Sequence, residues 1–181
     1  MKIKISNTKK MGAVFSWSTQ AGHPSEGGSC PASFDASGNY VDACQGCYAR
    51  EGNYRFPNVK NTRLHNMEDW KREDFVKDMV EYIDLNCRYF RWFDSGDMYN
   101  LKLAEKILQI CKSTPHCKHW IPTRQYKFPK FNDVIERLNG LPNVVVRLSS
   151  DSVIGHTVKG KNTSTIAPNF HITSLSKSFT K

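Results

Sequence analysis

The sequence predicts an α/β fold: a partial, truncated (β/α) barrel-like parallel sheet of about four to five strands, with a long cysteine-bearing loop after the first strand. Three observations predict it. Short apolar and aromatic runs alternate with amphipathic helical segments. A stretch rich in Gly, Ser, Pro and Asn separates the first strand from the first helix. Each internal strand runs into small polar or charged residues, the pattern of a sheet that binds ligands at its carboxyl ends.

The elements follow in order. Ala13 to Ser18 is short, apolar and aromatic, and reads as a strand. Residues 19–61 form the loop and carry Cys30, Cys44 and Cys47. A loop this long inside a compact domain is expected to be functional or clamped, for instance by a metal. From Met67 to Leu85, Trp70, Phe75, Met79, Val80 and Ile83 recur at helical spacing. Tyr89 to Phe93 is an aromatic strand entering Asp94-Ser95-Gly96-Asp97. Leu101 to Lys112 is a helix with Leu103, Ile107, Leu108 and Cys111 inward, stopped before Pro115. His119 to Pro122 is a strand leading to Thr123-Arg124. Phe131 to Leu138 is a helix closed by Asn139-Gly140, and Val144 to Leu148 is a buried-type strand ending in Ser149-Ser150-Asp151. Strands alternating with helices imply right-handed crossovers in one parallel sheet. The division expected is a single α/β domain over 1–155 and a basic, Ser/Thr-rich tail over 156–181, with a short strand over 165–172 before the chain frays.

Composition narrows the function classes. The chain has 181 residues, 39% of them hydrophobic, enough for one real core. No run of 18 apolar residues occurs, so no membrane span is expected, and the N-terminus lacks the apolar stretch of a signal peptide. A cytoplasmic protein is the expectation. The net charge of +9 points to polyanionic partners, with a merely soluble coat as the plainer alternative. The basic residues cluster in two aromatic-rich stretches. One holds Arg50, Arg55, Lys60 and Arg63; the other holds Lys118, Arg124, Lys127 and Lys130. Cations neutralise phosphate and aromatic faces stack on bases, so DNA, RNA or a host nucleoprotein complex is the expected partner.

Cys44 and Cys47 form a CxxC pair, whose intervening turn lets two sulfurs converge on one metal. Cys30 supplies a third donor across thirteen intervening residues. Three thiolates leave one coordination position open. An iron–sulfur cluster, zinc completed by a residue such as His23 or His65, and metal-free thiols all remain compatible with that pattern. Cys87, Cys111 and Cys117 read as part-buried thiols. Asp94 and Asp97 read either as ligand-facing carboxylates or as caps of the following helix.

The segments Phe15 to Ser18, Cys30-Pro31, Cys44 to Arg50, Tyr54 to Val59, Phe90 to Asp97 and Ile121 to Arg124 resemble the phage gene product 88 family over roughly residues 12–155. The cysteine segment is also similar to the three-Cys-motif phage proteins, which look like relatives of radical S-adenosylmethionine (SAM) enzymes. That resemblance implies a [4Fe-4S] cluster on Cys30, Cys44 and Cys47, with SAM at its open iron. It implies that Asp94, Ser95, Gly96 and Asp97 hold the methionine amino group, and that Arg124, Ser149 and Asp151 face the ligand. The chain departs from the pattern in its long first cysteine gap and its small number of strands. Two functions are therefore carried. One is a phage-encoded, nucleic-acid-associated iron–sulfur protein of radical SAM type, active or catalytically degenerate. The other is a host-defence inhibitor of anti-CRISPR type, binding a Cas nuclease, its guide RNA or DNA, in which the metal is only structural. Whether it is an enzyme, the sequence leaves open.

Overall fold

A computed structural model describes residues 3–8, 14–159 and 162–166. Among the described residues six strands form one sheet in the order of the sequence: β1 (Ser6–Thr8), β2 (Val14–Trp17), β3 (Tyr89–Trp92), β4 (Lys118–Thr123), β5 (Val144–Ser149) and β6 (Thr163–Ser164). Strand β1 is antiparallel to β2, and every later pair is parallel. Five α-helices accompany them among the described residues: α1 (Asp42–Gln45), α2 (Pro57–Asp69), α3 (Phe75–Asn86), α4 (Leu101–Ser113) and α5 (Asn132–Asn139).

The α/β class and the parallel sheet are as expected. The expected barrel shape is not found: the sheet is open, with β1 and β6 at its edges among the described residues. Strand β1 was not anticipated, because Ser-Asn-Thr carries no apolar signal. The helix expected over 67–85 corresponds to α3 and the last three residues of α2, parted at 70–74, where Arg72 pairs with Asp69 on one and Asp78 on the other; the loop expected over 19–61 gives way to helix at Pro57. The last strand is Thr163–Ser164; residues 167–181, with most of the expected strand and tail, lie outside the described residues.

Period-two alternation gives the sheet two different faces. The register sets Phe90 beside His119 and Val144, and Trp17 beside Trp92, on the helix side. There Trp17, Phe90, Trp92, Ile121 and Val146 pack with Phe75, Met79, Ile83, Leu103, Ile107 and Phe131 into one core. Each such buried side chain contributes about 1.5–3 kcal/mol. The other face carries the row Ser16–Arg91–Trp120–Val145, followed by Pro122 and Arg147. Arg91 stacks 4.6 Å from the Trp120 ring. Of this row, Arg91, Trp120 and Pro122 line a pocket.

Candidate functional site

The carboxyl ends of β2 to β5 share one rim, and side chains stitch them together. Phe93, in the left-handed region at φ 57°, turns the chain out of β3 while its N–H donates to the Trp17 carbonyl. The Asp94 N–H donates to Ser18 Oγ at 3.1 Å, and Ser95 Oγ donates to the Thr19 carbonyl at 2.7 Å. Gly96, at φ +81°, packs so tightly that an added Cβ would lie 2.0 Å from Thr19 Oγ1 and 2.5 Å from Ser29 Oγ. Its missing side chain therefore admits the neighbouring loop, where the resemblance implied room for a ligand.

Asp97 ties β3 to β4. Its fully buried carboxylate accepts from Thr123 Oγ1 at 2.7 Å, from the Arg124 N–H at 2.9 Å and from the Met98 N–H at 2.8 Å. Burial pushes its pKa up, against those donors. It does not cap α4; the Asn100 side chain does, accepting from the Lys102 N–H at 2.8 Å. Arg124 carries the seam on to β5, donating to the Ser150 carbonyl at 2.7 Å and pairing with Asp151 at 3.2 Å. Asp94 is engaged as well, by Arg91 Nη1 at 2.8 Å and by the Tyr54 hydroxyl, while Tyr48 donates to its carbonyl.

The cysteine loop folds back over this rim. The Ala43 N–H, beside Cys44, donates to the Asp151 carbonyl, and the Cys30 N–H to Gly22. The loop has its own small core: His23 stacks on Phe34 at 4.0 Å, and Arg50 lies 4.2 Å from the Tyr40 ring while pairing with Glu26. Four 3₁₀ turns, one short helix and these contacts organise the loop by themselves.

Between loop and rim lies a pocket of about 320 Å³. Cys30, Cys44 and Cys47 line it, with Asp94, Ser95, Gly96, Asp97, Arg124 and Ser149. Of the ligand-site residues expected from the sequence, Asp151 alone stands outside the lining; it pairs with Arg124 and Lys127 instead. Arg91 and Ile166 line the pocket without a role expected from the sequence, and so do Tyr48 and Trp120, expected only as base-stacking aromatics of the basic stretches. A charged residue set between Phe90 and Trp92 was the available signal for Arg91.

All six cysteines are free thiols. Burial pushes the Cys30 thiol up to about 12, with the Asp97 charge and then Cys44 and Cys47 adding to it. Burial raises Cys44 too. Among the described residues, no three His, Cys, Asp or Glu side chains stand together as a finished metal site. The donor chemistry fits a thiophilic metal, but the arrangement is not a ready-made cage.

The basic residues do not form one patch. Lys118 sits at the opposite end of β4 from the rim, its ammonium reaching the Pro142 carbonyl. Lys127 pairs with Asp151 and Arg50 with Glu26. Lys130 lies over Phe131, Arg55 and Lys60 are exposed, and Arg63 is buried.

The model of one family, Gene product 88, matches residues 1–177. The chain belongs to that family. It is thus a member of a phage gene-product family across almost its whole length. No curated protein and no solved structure matches it. Among the described residues no helix is long and apolar enough to cross a membrane.

Proposed function

We propose that this phage-family protein is a three-thiolate metalloprotein, with a [4Fe-4S] cluster as the first candidate and zinc as the second, and that it acts in contact with DNA or RNA. One observation carries the reading: Cys30 and the Cys44/Cys47 pair, from two parts of the loop, line one pocket over the carboxyl ends of the strands. Those three residues would hold the metal, and the position left open would face the cavity. An iron with an open position supplies ligand binding and electron transfer. Metal binding releases the thiol protons that burial otherwise retains on Cys30. Ser149 and Arg124 edge the cavity, and Arg91 on Trp120 walls its floor.

SAM fits less well. The carboxylates that the resemblance assigns to the methionine ammonium are already engaged: Asp97 by three donors, Asp94 by Arg91 and Tyr54. The same engagement favours a second reading, a host-defence inhibitor of anti-CRISPR type in which the metal only shapes the binding loop. Anaerobic reconstitution tests the first part. The expected product is brown, with about four irons per chain. Calorimetry with SAM on that product separates the two readings, because heat of binding favours the enzyme and none favours the binder. Nucleic-acid affinity is expected to fall steeply with salt, and affinity flat in salt would contradict that contact.

A further inference from the structure

We infer that a second pocket, built around Arg63, binds the phosphate of a nucleotide or nucleic acid. It encloses about 250 Å³ and is lined by Ser6, Ser18, Asn58, Thr62, Arg63 and Asn66, with Val59. The volume falls below the roughly 300–1,000 Å³ of pockets for whole drug-sized ligands and suits a phosphoryl group with part of its ester.

Three features give the pocket its sign. Its lining contains hydroxyls, amides and one guanidinium, and no carboxylate. Arg63 is 6% exposed, and its Nε and Nη1 have no hydrogen-bond partner among the described residues. A buried guanidinium with unused donors is costly, and an oxyanion that takes them relieves the cost. The first turn of α2, entered through Pro57, brings Asn58 and Val59 to the same hollow, so the positive end of that helix adds to the field. Asn66 is held by its Nδ2, which donates to the Lys4 and Ser18 carbonyls at 3.0 and 2.9 Å. Its Oδ1 is left without a donor. An acceptor beside a guanidinium suits a ligand that carries a hydroxyl next to its phosphate, as a nucleotide does.

The carboxylate whose charge reaches Arg63 is Asp94, and it is already held by Arg91 and Tyr54. Tyr54 joins the two pockets: its ring takes Arg63 at 4.1 Å and its hydroxyl takes Asp94, which lines the cysteine pocket. A strand anchored by a phosphate at Arg63 would thus lie beside the cysteine pocket. The inference deepens the nucleic-acid part of the proposed function and is independent of the metal.

Calorimetric titration of the full chain with inorganic phosphate, at constant ionic strength, tests it. Saturable binding is expected, about tenfold weaker in Arg63→Met and intermediate in Arg63→Lys. Wild-type protein gives a readout that no variant can spoil: the Arg63 Nε–H nitrogen resonance is expected to shift on phosphate addition. Absence of saturable binding, equal affinity in Arg63→Met, or an unmoved Arg63 resonance would overturn the site. Oligonucleotides with and without a 5′-phosphate then identify the source. Preference for the phosphorylated end marks a terminal monoester, and equal binding marks the backbone diester. Cys44→Ala is expected to keep phosphate binding while losing iron, so failure of the metal reading leaves this one standing.

Discussion

The two ends of the sheet hold three cysteines each, and the chain treats them in opposite ways. At the amino ends of β3 and β4, Cys87, Cys111 and Cys117 belong to the apolar core. Asn143 satisfies the surrounding backbone there, its Nδ2 donating to the carbonyls of Cys111, Thr114 and Cys117. At the carboxyl ends, Cys30, Cys44 and Cys47 face a cavity, on a loop held by hydrogen bonds and ion pairs. The same thiol is a small hydrophobe in the first setting and an available ligand in the second. What differs is the neighbourhood: side-chain packing at one end, a seam of polar contacts at the other.

The largest expected effect is at that seam. Gly96→Ala forces both a left-handed backbone and a collision with Thr19 and Ser29, and is expected to destabilise the protein by about 3 kcal/mol or more. Gly38→Ala, at the same φ of +81° with nothing within 4 Å of its Cβ, is expected to lose only about 1 kcal/mol. Urea unfolding of both variants measures the difference. Equal losses would show that the rim is not tightly joined to the loop.

The opposite end answers to acid. His119 is buried between Trp92 Nε1 at 3.3 Å and Thr114 Oγ1 at 2.9 Å, and burial pulls its pKa down to about 4. The folded state therefore binds this proton more weakly than the unfolded state does. The stability involved is present above the unperturbed value of about 6.5 and is lost as pH falls toward 4, by about 3 kcal/mol. Asp97, raised by burial, works in the other direction: burial disfavours its ionised form, so protonation relieves the rim. Between pH 7 and 4, His119→Gln is expected to lose less stability than wild type. An unchanged slope in that variant would assign the acid sensitivity elsewhere.

A smaller contrast separates the cysteines themselves. Without metal, Cys111→Ala is expected to lose about 1–2 kcal/mol, because it opens a gap among fully buried side chains. Cys47→Ala, which is only half-buried, is expected to change stability by less than about 0.5 kcal/mol. Thermal unfolding of the two variants checks this, and a reversal would mean that the rim cysteines pack as core.

Much of this was legible in the sequence. Helix α4 and strands β3 to β5 fall within a residue or two of their expected bounds, because each pairs a strong apolar period with a clear stop such as Pro115. Helix α2 was missed for a physical reason: the residues it buries are Arg63, Asn66 and Asp69, so a search for apolar spacing finds nothing, and Pro57 at its first position was the only marker. The pocket residues were legible because strand ends converge in any parallel sheet. The roles of Asp94 and Asp97 were not, because they depend on Tyr54, Thr123 and Arg124, which lie 26 to 40 positions away.

The central claim is that the rim cysteines alone bind metal. Iron content and colour after anaerobic reconstitution, measured side by side for wild type, Cys44→Ala and Cys111→Ala, test it most directly. About four irons per chain are expected in wild type and in Cys111→Ala, and none in a folded Cys44→Ala. A colourless, iron-free and zinc-free wild type that is nonetheless folded would contradict it, as would full iron retention in Cys44→Ala.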